Sequence, residues 1–310
     1  MRILVVGAGS TGGYYGARLA QAGRDVTFLV RPARAERLRA DGLRIVSPYG
    51  DVTVRPQLVT AGQIAAPFDA VLLTVKAFSL GAALADVAPA VGPESMIVPV
   101  LNGMRHMEVI ADRFGPAVLV GGVAKIATTL DEQGRIIQLN PLHDLAYGEI
   151  SGEATARIRR LDAAMQGAGF DAKLSPTIER EMWEKWVMLA GLGAATCLMR
   201  GTIGEIAAAN GGADFVHALL GECVATVTAA GHPPSEAFLA AARTQLTAAG
   251  SPMTSSMYRD LVKGSAVEAD QILGDLLARA KGFGVSAPNL AAAVSQLSVY
   301  QNRIAAQAAS

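Results

Sequence analysis

Along the first 125 residues, short runs of β-branched and other apolar residues alternate with stretches whose apolar positions recur at helical spacing. That alternation predicts a parallel α/β sheet. Ile3-Leu4-Val5-Val6 reads as a buried strand, with Tyr14 to Gln21 as the helix after it. Val26–Val30, Val71–Val75, Met96–Val100 and Val118–Val120 read as further strands. Runs apolar at every position are expected where helices cover both faces of a sheet. Ile136-Ile137-Gln138-Leu139 alternates instead, which suggests a few antiparallel strands at the end of this half. After about residue 175 the strand signals stop. Ile178–Arg200, Phe215–Ala230, Glu236–Ala248, Val267–Lys281 and Leu290–Arg303 read as helices. Their breaks fall at Gly231-His232-Pro233-Pro234, Gly250-Ser251-Pro252 and Ala287-Pro288. The expected organisation is an α/β domain over residues 1–175 and an all-helical domain over residues 176–310, with the boundary near Ser175-Pro176.

Composition narrows the class. The 310 residues are 51% hydrophobic but 5% aromatic, so small residues carry much of the apolarity, as suits close helix packing. Basic and acidic residues balance at 27 each, which leaves no electrostatic case for nucleic acid or an anionic membrane. The longest uncharged apolar stretch, Trp186–Met199, is fourteen residues. A membrane span needs roughly 20. A glycine-rich turn at Gly7 interrupts any export signal. Cys197 and Cys223 sit in apolar helical contexts and read as buried free thiols of a reducing compartment. The expectation is a soluble, cytoplasmic protein. His106, His143, His217 and His232 are scattered without ligand spacing, so no metal site is expected. Ser255 and Ser256 lack the strand–turn–helix context of a hydrolytic nucleophile.

Gly7-Ala8-Gly9-Ser10-Thr11-Gly12 fits G-x-G-x-x-G directly after the first strand and opens a helix. The first glycine permits the tight turn, the second lets a pyrophosphate reach the backbone, and the third lets helix and strand pack closely. The helix N-terminus adds N–H groups and a partial positive charge. This context makes the first domain Rossmann-type and dinucleotide-binding. An NAD site usually carries an acid at the end of the second strand, about 20 residues on. Here that place holds Val30-Arg31, and Asp25 lies at the wrong end of the strand. A guanidinium at Arg31 would pair with a 2′-phosphate, which favours NADP (NADPH). Arg34 and Arg37 could assist, although Glu36 among them weakens the point. A surface arginine at a helix start is the plainer alternative.

Three further places stand out. Lys76 follows the apolar run Val71–Val75, at the end where open α/β sheets bind ligands. Asn102-Gly103 follows the next strand in the same way. Lys185 lies on an otherwise apolar helix between Trp183 and Trp186. The plain readings are a solvating charge, an ordinary turn and an i, i+4 pair with Glu181.

Taken in order, the glycine turn with Arg31, Leu73-Thr74-Val75-Lys76-Ala77, Asn102-Gly103-Met104, Trp183-Glu184-Lys185 and Ser255-Ser256-Met257-Tyr258-Arg259-Asp260 resemble the ketopantoate reductase (2-dehydropantoate 2-reductase) family. Glu268 ahead of Gly274, and Gly284-Val285 ahead of Pro288, extend the match nearly end to end. The resemblance implies NADPH-dependent reduction of 2-dehydropantoate, a 2-oxo acid, to pantoate in pantothenate biosynthesis. It implies that Lys185 protonates the carbonyl oxygen as hydride arrives, in a cleft between the domains. Glu268 would hold the reacting oxygen and the lysine in register, and Ser256 would bind the substrate carboxylate. Asn102 would lie near the nicotinamide ribose and substrate, and Lys76 would line the same cleft. The apolar helical half is also suited to a homodimer.

The resemblance fails at two places. Family members like the bacterial biosynthetic enzyme carry asparagines four and eight residues after the lysine, where this chain has Leu189 and Gly193. Each lost hydrogen bond would weaken substrate binding by roughly 0.5–1.5 kcal/mol. A more apolar pocket, wider at Gly193, and preference for a 2-oxo acid with an apolar tail are therefore expected. The competing explanation is that the small residues from Ala190 to Ala195 serve helix packing. An alternative of another class is a non-catalytic NADP-binding redox sensor, which would keep the glycine turn without needing Lys185 and Glu268.

Overall fold

The computed structural model describes residues 1–309. It divides into two compact units. The first comprises residues 1–101 and 106–179, and the second takes up Asn102–Arg105 and the chain from Arg180 onward.

In the first unit, strands β1 (Arg2–Val6), β2 (Asp25–Leu29), β5 (Gln57–Val59), β6 (Ala70–Leu73) and β7 (Met96–Pro99) form a parallel sheet, with α1 (Ser10–Gln21), α2 (Pro32–Asp41), β3 (Leu43–Val46) and β4 (Val52–Val54) between the early strands. The strand order is β5-β2-β1-β6-β7. The chain winds outward from β1 first on one side and then on the other. The carboxyl end of β1 is therefore the switch point, where open α/β sheets bind ligands. Side chains alternate between two cores: Ile3 and Val5 point into one, Leu4 and Val6 into the other. Burial on both faces is why β1 reads as an unbroken apolar run.

Helices α3 (Leu80–Val87) and α4 (Arg105–Phe114) follow β6 and β7. A second sheet contains β3, β4, β8 (Gly121–Leu130), β9 (Ile136–Gly148) and β10 (Asp171–Leu174); its order is β10-β9-β3-β4, with β8 antiparallel to β9. Helix α5 (Ala156–Met165) precedes β10. The antiparallel strands expected near Ile136 are thus one long hairpin, and antiparallel β3–β4 joins the same sheet. Two strand expectations shift. The third strand ends at Leu73, and the next residue, Thr74, directs both its amide and its hydroxyl to the Val6 carbonyl. Val118–Val120 is not a strand: Gly115-Pro116 starts a 3₁₀ turn, and Leu119 makes one parallel bridge to Ile97. Proline suits the first position of such a turn because its missing N–H has no helical partner to lose.

The second unit is helical: most of α6 (Ile178–Met199), then α7 (Ile203–Ala208), α8 (Gly212–Ala229), α9 (Glu236–Leu246), α10 (Ser256–Val262), a π turn (Asp270–Gly274), α11 (Asp275–Gly282) and α12 (Pro288–Ala309). Helices α7 and α10 escape a periodicity reading because each is two turns or less. The segment expected as one helix from Val267 to Lys281 instead carries the π turn. Ala190, Ala194 and Ala195 are fully buried on α6, and a Cβ at Gly191 would lie 3.2 Å from Leu246 Cδ1. Small residues there let α6 pack closely within its unit. Glu222 on α8 accepts from the Asn289 and Leu290 amides and so caps α12. Cys197 and Cys223 are buried free thiols, with burial pushing them up to about 11 and about 12. No helix among the described residues is long and apolar enough to cross a membrane.

Candidate active site

The glycine turn has the features its spacing predicts. Gly7 holds φ +95°, a left-handed conformation that a side chain would strain. Gly9 is the N-cap of α1, no side chain caps that end, and the first turn holds no acid. A Cβ at Gly9 would meet nothing within 4 Å, so the backbone is open to a ligand there. At Gly12 the reverse holds: a Cβ would overlap Thr74 Oγ1 and lie 2.5 Å from the Gly7 carbonyl oxygen. The turn together with Ala8, Ser10 and Thr11 thus fits a dinucleotide pyrophosphate, one glycine leaving room and another excluding any side chain.

Thr74 was not singled out from sequence. Its hydroxyl lies 2.8 Å from the Val6 carbonyl oxygen and 3.1 Å from that of Gly7, bracing the turn from the end of β6. A hydroxyl closing an apolar strand, aligned with a glycine that must pack closely, was the available signal. Lys76 lies beyond it, exposed, as the N-cap of a 3₁₀ turn (Ala77–Ser79).

Arg31 is the exposed N-cap of α2, two residues past the end of β2. One turn on, Arg34 is half-buried and donates to the Ala8 carbonyl at 3.3 Å, so it is tied to the glycine turn itself. Burial and the adjacent Arg37 charge hold its guanidinium below the ordinary arginine value. Gly134, at the tip of the β8–β9 hairpin, sits with its Cβ direction 3.1 Å from both guanidinium groups. This end of the first unit concentrates positive charge suited to a phosphate.

In the helical unit, Lys185 is half-buried on α6. The next residue, Trp186, is 1% exposed and donates its indole N–H to the Ile272 carbonyl at 2.8 Å. Ile272 belongs to the π turn, and its own amide bonds the Glu268 carbonyl at 3.1 Å. Arg279, paired with Asp275, lies 5.6–5.7 Å from the Trp186 and Trp183 ring centres. Asn102-Gly103 packs on the same π turn: Gly103 has φ +79°, and a Cβ there would approach the Gln271 carbonyl to 2.6 Å. The segments bearing Lys185, Glu268 and Asn102 therefore meet at one irregular turn, a geometry frequent at functional sites.

Ser255 caps α10, accepting from the Tyr258 amide at 2.9 Å. Ser256 is the first helical residue and is exposed, so its hydroxyl is not spent on the cap. Leu189 is half-buried and Gly193 buried. The expected widening at Gly193 does not occur. Met257 covers it, and a Cβ at residue 193 would lie 2.7 Å from Met257 Cε. Two histidines have packing roles: His143 bonds Tyr14 Oη at 2.9 Å and stacks on Tyr49, and His232 stacks on Trp183.

Two family models match the chain: ketopantoate reductase PanE/ApbA over residues 3–152, and ketopantoate reductase PanE/ApbA C terminal over residues 177–301. The chain belongs to the ketopantoate reductase family. It is 38% identical over 301 residues to an uncharacterized oxidoreductase, YkpB, of Bacillus subtilis (strain 168), covering 97% of this chain and 99% of that one. It is 28% identical to a 2-dehydropantoate 2-reductase of Halobacterium salinarum, covering 93% and 95%. Among solved structures, 2-dehydropantoate 2-reductase from Geobacter metallireducens GS-15 matches with a TM-score of 0.86 and 28% identity, covering 96% of this chain and 99% of that chain. A D-mandelate dehydrogenase shares the fold at TM-score 0.87 and 19% identity, over 98% of this chain and 100% of the other. As a member of the ketopantoate reductase family, the protein is a nicotinamide-dinucleotide-dependent oxidoreductase acting on CH–OH groups.

Proposed function

We propose that this member of the family uses NADPH to reduce the 2-keto group of a 2-oxo acid, with 2-dehydropantoate as reference substrate and Lys185 as proton donor. The observation that carries the reading is the convergence of the Lys185, Glu268 and Asn102 segments on the π turn. The bound cofactor supplies the hydride. Lys185 gives a proton to the carbonyl oxygen as negative charge develops there. The Glu268 carboxylate holds the reacting oxygen and the lysine in register. The exposed Ser256 hydroxyl donates to the substrate carboxylate, and the Asn102 amide serves the substrate and the nicotinamide ribose. Gly7, Gly9 and Gly12 receive the pyrophosphate, Arg31 and Arg34 favour a 2′-phosphate, and Lys76 adds positive charge beside the turn. A cytoplasmic homodimer completes the reading.

The test is the loss of NADPH absorbance with 2-dehydropantoate, with NADH in parallel and Lys185→Ala as control. NADPH-preferring turnover that falls about 10²–10⁴-fold in the variant is the expected outcome. Tight NADPH binding with no turnover of any 2-oxo acid would favour a redox sensor. Undiminished turnover in Lys185→Ala would remove the lysine from the chemistry.

A further inference from the structure

The tail of the substrate can be inferred from the surface beside Lys185, given the reading of that lysine as proton donor. From Glu181 onward, α6 leaves Glu181, Glu184, Lys185, Met188 and Leu189 partly accessible, and every residue from Ala190 to Cys197 is buried. Glu184 is committed to α9, accepting from the Ser235 amide at 2.8 Å and its hydroxyl at 2.7 Å. One turn beyond Lys185, the helix therefore presents Met188 and Leu189. Two turns beyond, it presents Gly193, closed over by the Met257 methyl group. Met257 is 3% exposed and directly follows the exposed Ser256, so α10 sets a free hydroxyl beside a thioether.

The buried hydroxyls near this face have no proton left to give. Thr196 Oγ1 donates to the Leu192 carbonyl at 2.7 Å, so in its 3.0 Å contact with Ser255 it is the acceptor. Ser255 Oγ thus gives its one proton to Thr196 and accepts from the Tyr258 amide. A hydroxyl has a single proton to donate, and both are used. A tail hydroxyl laid against Met188 and Leu189 would lose water without gaining a donor from either side chain.

We propose that the preferred substrate is a branched aliphatic 2-oxo acid with no hydroxyl on its tail, and that Leu189 sets this preference while Met257 closes the space at Gly193 behind it. The chemistry is otherwise unchanged. C2 gains a hydride from NADPH, the carbonyl electron pair moves to oxygen, and that oxygen takes a proton from Lys185. NADP⁺ and the 2-hydroxy acid are the products, and solvent restores the lysine proton.

The experiment compares 2-dehydropantoate with 3,3-dimethyl-2-oxobutanoate, which differs from it by the single tail hydroxyl. A recess built to bind that hydroxyl would reject the deoxy acid by about 10⁴–10⁵, whereas an apolar recess separates the two by only about 10–200-fold. Expected is a kcat/KM about 10–100-fold higher for the deoxy acid, with Leu189→Asn moving the ratio at least tenfold toward 2-dehydropantoate. A wild-type preference for 2-dehydropantoate overturns the inference, and that comparison needs no variant to fold. Loss of both activities in Lys185→Ala with such a preference would overturn only the tail assignment. Retained activity in Lys185→Ala, or reduction of neither acid by the wild type, would overturn the lysine reading and this inference together.

Discussion

Gly12→Ala adds one methyl group where α1 crosses the end of β6. The new Cβ would overlap Thr74 Oγ1, lie 2.8 Å from Thr74 Cβ and 2.5 Å from the Gly7 carbonyl oxygen. Turning the threonine aside relieves only part of this, since Gly7 is backbone. It also breaks the threonine's bonds to Val6 and Gly7. Overpacking costs about 1–3 kcal/mol and a lost hydrogen bond about 1 kcal/mol, so a loss of about 2–4 kcal/mol is expected. For a domain of this size each kcal/mol is worth about 2–4 °C, giving a drop in Tm of about 4–16 °C. The helix N-terminus must move with its backbone, so NADPH affinity should fall at least about tenfold. Thermal melting by circular dichroism and a fluorescence titration with NADPH read the two effects separately. The cycle with Thr74→Ala is the sharper check. In that background the alanine at residue 12 still meets the Gly7 carbonyl and the Cβ of residue 74 but no longer the hydroxyl, so its cost should shrink by about 1 kcal/mol or more. Wild-type stability and NADPH affinity in Gly12→Ala, or strict additivity with Thr74→Ala, would refute the reasoning.

Trp186→Phe keeps an aromatic ring but removes the N–H that holds the Ile272 carbonyl. If that bond sets the register of Glu268 against Lys185, kcat should fall about tenfold while KM for the 2-oxo acid changes less and NADPH affinity stays constant; an unchanged kcat would make the tryptophan purely a packing residue. Glu149, its side chain 6% exposed, pairs with Arg157 at 2.6 Å and accepts from the Thr155 hydroxyl, fastening the start of α5 to the end of β9. The Arg157 guanidinium, ahead of the Thr155 hydroxyl, holds the carboxyl below its usual value of 4.5 against the opposing effect of burial. A depressed folded-state value means the pair's stabilisation is complete above about pH 4.5 and fades as pH falls through the folded value. Denaturant titrations should find Arg157→Ala less stable by about 3–5 kcal/mol at pH 7. The gap between wild type and Glu149→Gln should narrow as pH falls below about 4.5, and a gap independent of pH would contradict the assignment.

Much of the molecule was legible because its signals are local. The βα unit carrying Gly7, Gly9 and Gly12 lies within some thirty residues, and a turn, a strand period and a helix period are each set by neighbours. The same holds for Arg31 at the end of β2 and for Lys185 on a long helix. The errors fall where local preference is outvoted. Val71–Val75 is a good strand former throughout, but the strand ends at Leu73 and the Thr74 side chain braces the glycine turn. Val267–Lys281 has helical periodicity, and no period announces that five of its residues adopt a π turn.

By itself, the sequence determined the α/β-then-helix order, the dinucleotide turn, the cluster of arginines after β2 and the apolar character of Leu189 and Gly193. Those properties reside in single residues and short spacings. The tertiary structure alone decided that Asn102–Arg105 packs with the helical unit, that Thr74 closes on Gly12, that Trp186 holds Ile272 across 86 residues, and that Met257 fills the space Gly193 was expected to leave open. Each is a contact between residues distant in the chain. Such contacts follow from how packed side chains share a finite volume, which no local pattern records.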